Sequence, residues 1–216
     1  KKKYSLKIGV LTFEPMPKMF FDNNLSNFRI SNPQQKLNLL KNLKVDFIII
    51  KRFNKKFSKI KSIDFIKKSL ANKLKAKFIF VSNNFRFGNK REGSVKQLKN
   101  YEVLCNYKVV KPMPLVKERK IVSSTLIRNY LQKGELEKAN KFLKRNWSVI
   151  GKIQKGQQLG KKIGFPTANI DIKDYIIPKN GVYAVKVKIN KSKKYIKGIA
   201  NLGYRPTFNG KKILLE

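Results

Sequence analysis

Between Ile8 and about Asn146, short apolar runs alternate with segments of helical period; after Trp147 the helical period disappears. In the first stretch, Ile8–Phe13, Val45–Ile50, Phe78–Ser82 and Tyr107–Lys111 read as strands. Pro33–Leu43, with Asn32 as cap and Pro33 at the first helical position, reads as a helix. So does Ile63–Leu74, capped by Ser62 and carrying Ile63, Ile66, Leu70 and Leu74 on one face. Ser94 can cap a third helix through Val95 and Leu98, and a short helical pair, Leu126–Leu131 and Leu136–Leu143, is divided by Gly134. Parallel strands need crossover connections, so this alternation implies a parallel sheet covered by helices. After Trp147 the strand candidates are Trp147–Ile153, Ala168–Ile172, Gly181–Ile189, Lys194–Asn201 and Ile213–Leu215, with Asn190–Lys193 as a hairpin turn. The fold class expected is α/β followed by an all-β antiparallel barrel or sandwich. The boundary falls near Lys144–Asn146.

Composition narrows the chemistry more than the fold. The most apolar stretch, Val45–Ile50, is only strand-length, so the pattern predicts no membrane span. The chain has no histidine, which excludes histidine general bases and histidine metal sites. Its single cysteine, Cys105, cannot form an internal disulfide and fits a reducing, cytoplasmic setting. The 216 residues carry 51 Lys and Arg against 12 Asp and Glu, a formal charge of +39. Cut at residue 108, the chain has 26 basic and 6 acidic residues in its first part and 25 and 6 in its second. Only 8 of the 51 basic residues are Arg. An even, lysine-dominated excess reads as a compositional bias rather than as a specific nucleic-acid footprint, which would cluster and favour Arg. The field still attracts polyanions, nucleoside triphosphates included.

Three strings and two short features carry candidate chemistry. Val122–Arg128 sets Ser124 and Thr125 at a helix start, where free N–H groups favour an anion, with Arg128 three positions on; an ordinary serine cap beside a surface arginine is the competing reading. Asn83–Gly88 follows a strand, where ligands of open α/β sheets bind, and Phe85 and Phe87 flank Arg86; it could equally be a core-closing loop. Gly164–Asn169, preceded by Gly156 and Gly160, lets backbone approach phosphates closely. Thr167 and Asn169, two positions apart on an extended segment, would turn oxygens the same way, as Mg²⁺ ligation requires. Glycine-rich turns alone would explain the glycines but not the whole string. Thr12–Pro17 ends the first strand in two prolines, Pro15 and Pro17, and Glu216 ends the last.

Taken in order, Thr12–Phe21, Phe85–Gly88, Gly93, Val122–Arg128, Gly160, Gly164–Asn169, Gly181–Val185 and Asn201–Phe208 resemble the bacterial bifunctional riboflavin kinase/FMN adenylyltransferase family across essentially the whole chain. The resemblance implies a Rossmann-like nucleotidyltransferase domain with a parallel sheet over 1–146. It implies an antiparallel, six-stranded-type β-barrel kinase domain over 147–216. ATP would phosphorylate riboflavin to FMN, and a second ATP would adenylylate FMN to FAD, releasing pyrophosphate. Ser124, Thr125 and Arg128 would hold ATP at the adenylyl site, bordered by Pro15, Pro17, Asn84 and Phe85 for the flavin. Gly156, Gly160, Gly164, Thr167 and Asn169 would hold ATP at the kinase site, Thr167 and Asn169 also holding Mg²⁺. Glu216 would take the proton from the riboflavin 5′-hydroxyl.

Departures from the pattern set further expectations. The family's opening strand and GxFDGxHxGH segment are not seen, Met16 replaces a histidine between the prolines, Ser82 replaces a glycine, and the last kinase strands and helix do not follow Glu216. The chain therefore reads as an internal fragment lacking the first strand of one domain and the C-terminal part of the other, with little activity expected of the fragment itself. Two alternatives remain: a basic nucleic-acid-binding protein without enzymatic activity, and a degenerate flavin-binding remnant. Partners are expected to be small molecules, with no specific nucleic acid and no membrane; the sequence is silent on oligomeric state.

Overall fold

A computed structural model describes residues 4–22, 25, 28–154, 164, 167–190, 192, 194–207 and 210–216, with side chains described outside 205–212. The chain divides into two compact units, Lys1–Asp22 with Phe47–Ile121, and Asn23–Asp46 with Val122–Glu216.

The first unit holds two parallel strand pairs. Strand β1 (Gly9–Glu14) runs beside β2 (Phe47–Arg52), Gly9 opposite Phe47 and Glu14 opposite Arg52. Strand β3 (Phe78–Phe80) has as its parallel partner the later strand Lys108–Val110. Between these two lie β4 (Arg86–Phe87) and β5 (Gly93–Ser94), paired antiparallel. Lys108–Val110 is β6, and β7 (Val116–Lys117) and β8 (Lys120–Ile121) close the unit as a second short antiparallel pair. Phe65, Ile66, Leu70, Ile79, Phe87, Leu98 and Tyr107 form the core. Ser94 caps the helix Val95–Asn100 as expected, its hydroxyl accepting from Gln97 N.

The helix expected at Ile63–Leu74 differs in two ways. Lys61, not Ser62, is its cap residue, and Phe65–Lys73 is wound as a π-helix. Ser62 is instead buried, its N–H donating to Glu92 Oε1 at 2.6 Å. Winding with i→i+5 bonds stacks residues five apart. Phe65, Ile66 and Leu70 therefore enter the core, while Leu74 stays exposed.

In the second unit, β9 (Ile153–Gln154), β10 (Asn169–Asp171), β11 (Gly181–Val187), β12 (Ile196–Thr207) and β13 (Gly210–Leu215) form one antiparallel sheet in the order β11-β12-β13-β10-β9. Among the described residues it is an open sheet, with no closed barrel. Ile172, Tyr175 and Leu202 centre the core on one of its faces. A second cluster, Ile127, Tyr130, Leu131, Ala139, Phe142 and Ile176, seats the helices Ser124–Gln132 and Leu136–Leu143. Gly134, at φ +77°, makes the turn between those helices in the left-handed region that glycine tolerates best.

The helix Pro33–Asn42 belongs to this unit and begins with the expected cap: Asn32 Oδ1 accepts from Gln35 N, and Gln35 Oε1 from Asn32 N. Gln35 is buried because it does more. Its amide donates to Ser148 O at 3.0 Å, and its Oε1 accepts from the Tyr175 hydroxyl at 2.7 Å. Tyr175 Oη accepts from Ile150 N, and Trp147 N donates to Asn140 Oδ1. These bonds explain why the strand expected over Trp147–Ile153 is regular only at Ile153–Gln154. Its backbone groups are satisfied by side chains rather than by a ladder.

Candidate functional site

In the first unit, the segment after β3 folds into a concavity of about 360 Å³ lined by Asn83, Asn84, Phe85, Arg86, Arg91, Ser94, Val95 and Lys96. Two glycines fix its shape. Gly88 sits at φ +76°, and a Cβ there would lie 2.7 Å from the backbone of Ser62; a Cβ at Gly93 would lie 2.8 Å from the Phe87 ring. Phe85 stacks on the buried Phe87, ring centroids 5.5 Å apart and planes 19° apart. One wall is thus a stiff aromatic surface. The sequence-predicted Asn84 and Phe85 come together here. Pro15 and Pro17 lie in the same unit, on either side of Met16 just beyond β1, and are not among the cavity's lining residues. The Glu14–Pro15 peptide is cis.

Ser124, Thr125 and Arg128 share one helix of the second unit. Ser123 is its cap, the hydroxyl accepting from Leu126 N, which leaves Ser124 and Thr125 exposed in the first turn. Arg128 is half-buried and held from two directions. Its guanidinium carbon lies 3.6 Å from the Phe28 ring centroid, and its Nε donates to Phe28 O at 2.9 Å. Burial lowers its pKa from the ordinary arginine value. Nothing in the 28–128 sequence spacing announces this clamp.

On the sheet, Ile170 opposes Leu215 and Asp171 opposes Leu214. One further step in that register sets Asn169 beside Glu216. Glu216 in turn exchanges both backbone hydrogen bonds with Asn201, at 2.8 and 3.0 Å, and Asn169 opposes Gln154 of β9. Directly opposed residues share a face of a sheet. Gln154, Asn169, Glu216 and Asn201 therefore form a polar row on one face, while Ile170, Leu202 and Leu215 of the neighbouring row point to the core. Asn169 is 6% exposed, and its Oδ1 has no hydrogen-bond partner among the described residues. Native structures rarely leave such an atom orphaned, and it is a hard oxygen donor of the kind Mg²⁺ takes. Thr167, two residues before it, is exposed and precedes the regular strand. Gly164 is in the left-handed region at φ +82°, and among the described residues nothing lies within 4 Å of where a Cβ would stand. Gly156 and Gly160 lie outside the described residues. Among the described residues no cluster of three acidic or cysteine side chains could hold a metal.

Comparison with known proteins bears on both units. Residues 1–126 match the family model described as FAD synthetase, and residues 143–216 match that described as riboflavin kinase. A bifunctional riboflavin kinase/FMN adenylyltransferase of Buchnera aphidicola from Schizaphis graminum is 38% identical over 98% of this chain and 68% of its own length. Those of Haemophilus influenzae and Escherichia coli K12 are 35% and 32% identical, each with 68% of its own length covered. The chain belongs to this family.

A riboflavin kinase/FMN adenylyltransferase family member also has solved structural relatives. One, titled a macrolide-efflux protein from Streptococcus pneumoniae, superposes with a TM-score of 0.81 at 28% identity, covering 99% of this chain and 69% of that one. Among the described residues, no helix is long and apolar enough to cross a membrane. Pro15, Pro17, Asn84, Phe85, Ser124 and Thr125 fall inside the FAD synthetase match, Arg128 two residues beyond it. Thr167, Asn169 and Glu216 fall inside the riboflavin kinase match.

Proposed function

We propose that this protein makes flavin nucleotides in two ATP-dependent steps, phosphorylating riboflavin to FMN and adenylylating FMN to FAD with release of pyrophosphate. The observation that carries the reading is the polar row: an orphaned amide oxygen at Asn169 and a carboxylate at Glu216, neighbours by register, inside the riboflavin kinase match. The kinase domain would span 147–216, its sheet part of an antiparallel barrel, and the Rossmann-like adenylyltransferase domain 1–146. Both would work on small molecules in the cytoplasm.

In the kinase step, Glu216 would accept the proton of the riboflavin 5′-hydroxyl as that oxygen attacks the terminal phosphorus of ATP, the bond from that phosphorus to the bridging oxygen breaking and ADP leaving. Thr167 and Asn169 present oxygens for Mg²⁺, which when bound neutralises charge on the phosphate oxygens. Gly164, and with it Gly156 and Gly160, which lie outside the described residues, would be the glycines that accommodate the nucleotide. In the adenylyl step, Arg128, fixed by Phe28, meets the phosphates of ATP with Ser124 and Thr125, and Asn84 and Phe85 border the flavin beside Pro15 and Pro17. Preorganised charge of this kind supplies most of phosphoryl-transfer catalysis.

The test is product analysis with the intact protein. Riboflavin with ATP and Mg²⁺ should yield FMN, and FMN with ATP should yield FAD and pyrophosphate. Failure of both, with no change in flavin fluorescence on titration, would overturn the reading. Tight, steeply salt-dependent RNA binding without flavin affinity would replace it with a nucleic-acid function.

A further inference from the structure

The hairpin of β11 and β12 outruns the core it covers. In its register Tyr183 opposes Ala200, Val185 opposes Gly198 and Val187 opposes Ile196, so all six share one side of the ribbon. At the base that side is covered: Ala200 is buried, and Tyr183 packs against the cluster of Ile172, Tyr175 and Leu202. At the tip it is open to solvent. Val187 is 42% and Ile196 55% exposed, and Ile189, just past the strand, is 48% exposed. The other side of the tip is basic. Lys186 opposes Lys197, and Lys188 Nζ lies 5.8 Å from the ring centroid of the exposed Tyr195. Lys186, Lys188, Lys194 and Lys197 are all exposed. The sequence from 186 to 197 has six lysines and no Arg, and from Tyr175 to Leu215 it has no carboxylate. Here the charge that is spread evenly over the chain becomes local, and it sits on the back of an uncovered aliphatic strip.

We propose that the tip of this hairpin docks on an anionic lipid bilayer, Val187, Ile189 and Ile196 entering the headgroup boundary and Lys186, Lys188, Lys194 and Lys197 lying at the phosphates. A second copy of the chain fits worse, because pairing two tips sets lysine against lysine. A nucleic acid would use the cations but leave the aliphatic side chains in water, and it favours Arg, whose fork matches phosphate. A lipid surface uses both halves of the pattern. Lysine responds to the diffuse field of anionic headgroups and lays its stem along apolar surface, and a tyrosine suits the interface. The expectation of no membrane partner rests on the want of a spanning segment, and attachment to a surface needs none. The proposal is independent of the flavin reading.

The experiment sediments the intact protein with vesicles of phosphatidylcholine alone, or with about one third phosphatidylglycerol, at about 0.15 M salt. Binding should be confined to the anionic vesicles. K186Q/K188Q/K197Q should lower the partition coefficient about thirtyfold or more, the scale of removing three lysines from a charged surface. K73Q/K77Q/K99Q, three exposed lysines of the first unit, should lower it less than about threefold. V187T/I196T, which keeps branched side chains in the strands, should lower it about fivefold, and Ile189→Ser, outside the strands, about threefold. A melting midpoint within about 3 °C of the native protein's shows that a variant is folded, and Ile189→Ser carries the aliphatic test if the double variant is not. No binding to anionic vesicles, equal loss in the two lysine triples, or full binding by the folded aliphatic variants each overturns the proposal. So does a vesicle-independent dimer that V187T/I196T dissolves, which would give the face to a second copy. Retention of poly(U) RNA but not of vesicles, lost with the hairpin lysines and kept in V187T/I196T, would give it to nucleic acid instead.

Discussion

The loop cavity of the first unit and the polar row of the second reach precision by opposite means. In the cavity, position is imposed from outside: Gly88 is pressed against Ser62, Gly93 against Phe87, and Ser62 is tied to Glu92. In the row, position follows from the ladder itself, because register puts Gln154, Asn169, Glu216 and Asn201 side by side. A loop site fails when its supporting contacts are altered. A register site tolerates much around it but loses function with a single donor. Functional groups on regular strands need fewer supports than groups on loops, which borrow rigidity from their neighbours.

The sharpest way to break this comparison is to remove one member of the row. Asn169→Ala or Glu216→Gln should lower FMN formation about 100-fold or more, roughly 3 kcal/mol, the loss typical of a preorganised charge-stabilising group. FAD formation from supplied FMN should be unchanged. Equal loss of both products would show that the row does not serve one reaction alone.

Next in size, Gly88→Ala combines a strained φ with backbone overlap and should destabilise the first unit by about 2–3 kcal/mol. Thermal inactivation should then abolish FAD formation at temperatures where FMN formation persists. Parallel loss of both activities would count against a locally supported loop.

A smaller effect is expected at the arginine clamp. Phe28→Ala removes a cation–π contact worth about 1 kcal/mol, so KM for ATP in FAD formation should rise about fivefold with little change in kcat. Phe28→Tyr, which keeps an aromatic face, should restore it. A change in riboflavin phosphorylation would place Arg128 in the other reaction.

The least effect at neutral pH concerns Tyr107, a core residue whose hydroxyl donates to Leu98 O at 2.8 Å. Burial, then the neighbouring Cys105 and Glu102, pushes its pKa from 10 up to about 12. The folded form thus holds the phenol proton more tightly than the unfolded chain does. The stability linked to it is complete below pH 10 and is lost as pH rises to about 12. Denaturant midpoints followed across that window should fall for the native protein and fall less for Tyr107→Phe. Identical slopes would exclude Tyr107 as the source.

Much of this was legible in the residues. The change from helical to strand texture near Trp147 and the caps at Asn32 and Ser94 follow from local rules that the structure obeys. The misses differ in kind. The irregular backbone of 147–152 is held by partners distant in sequence, Gln35 lying 113 positions from Ser148, whereas the π-winding of Phe65–Lys73 replaces a helix whose apolar spacing fits the ordinary period. Asn83–Gly88 could be placed after a strand, but the cavity it shares with Arg91 and Lys96 could not, and the chain between them passes through two left-handed residues, Lys90 and Arg91, that sequence pattern does not announce. Asn169 could be picked out for its oxygen. That its oxygen would be buried and orphaned is a property of packing, and the pattern of letters does not contain it.

The hydrogen bond from Tyr175 to Gln35 spans 140 positions, and Arg29 O accepts from Ile176 N. During synthesis the helix Pro33–Asn42 therefore emerges from the ribosome far ahead of the strands it will be joined to, and must wait while the whole of Phe47–Ile121 is made. A protease nick anywhere in that intervening stretch would leave the second unit assembled from two separate pieces of polypeptide, held by non-covalent contacts alone.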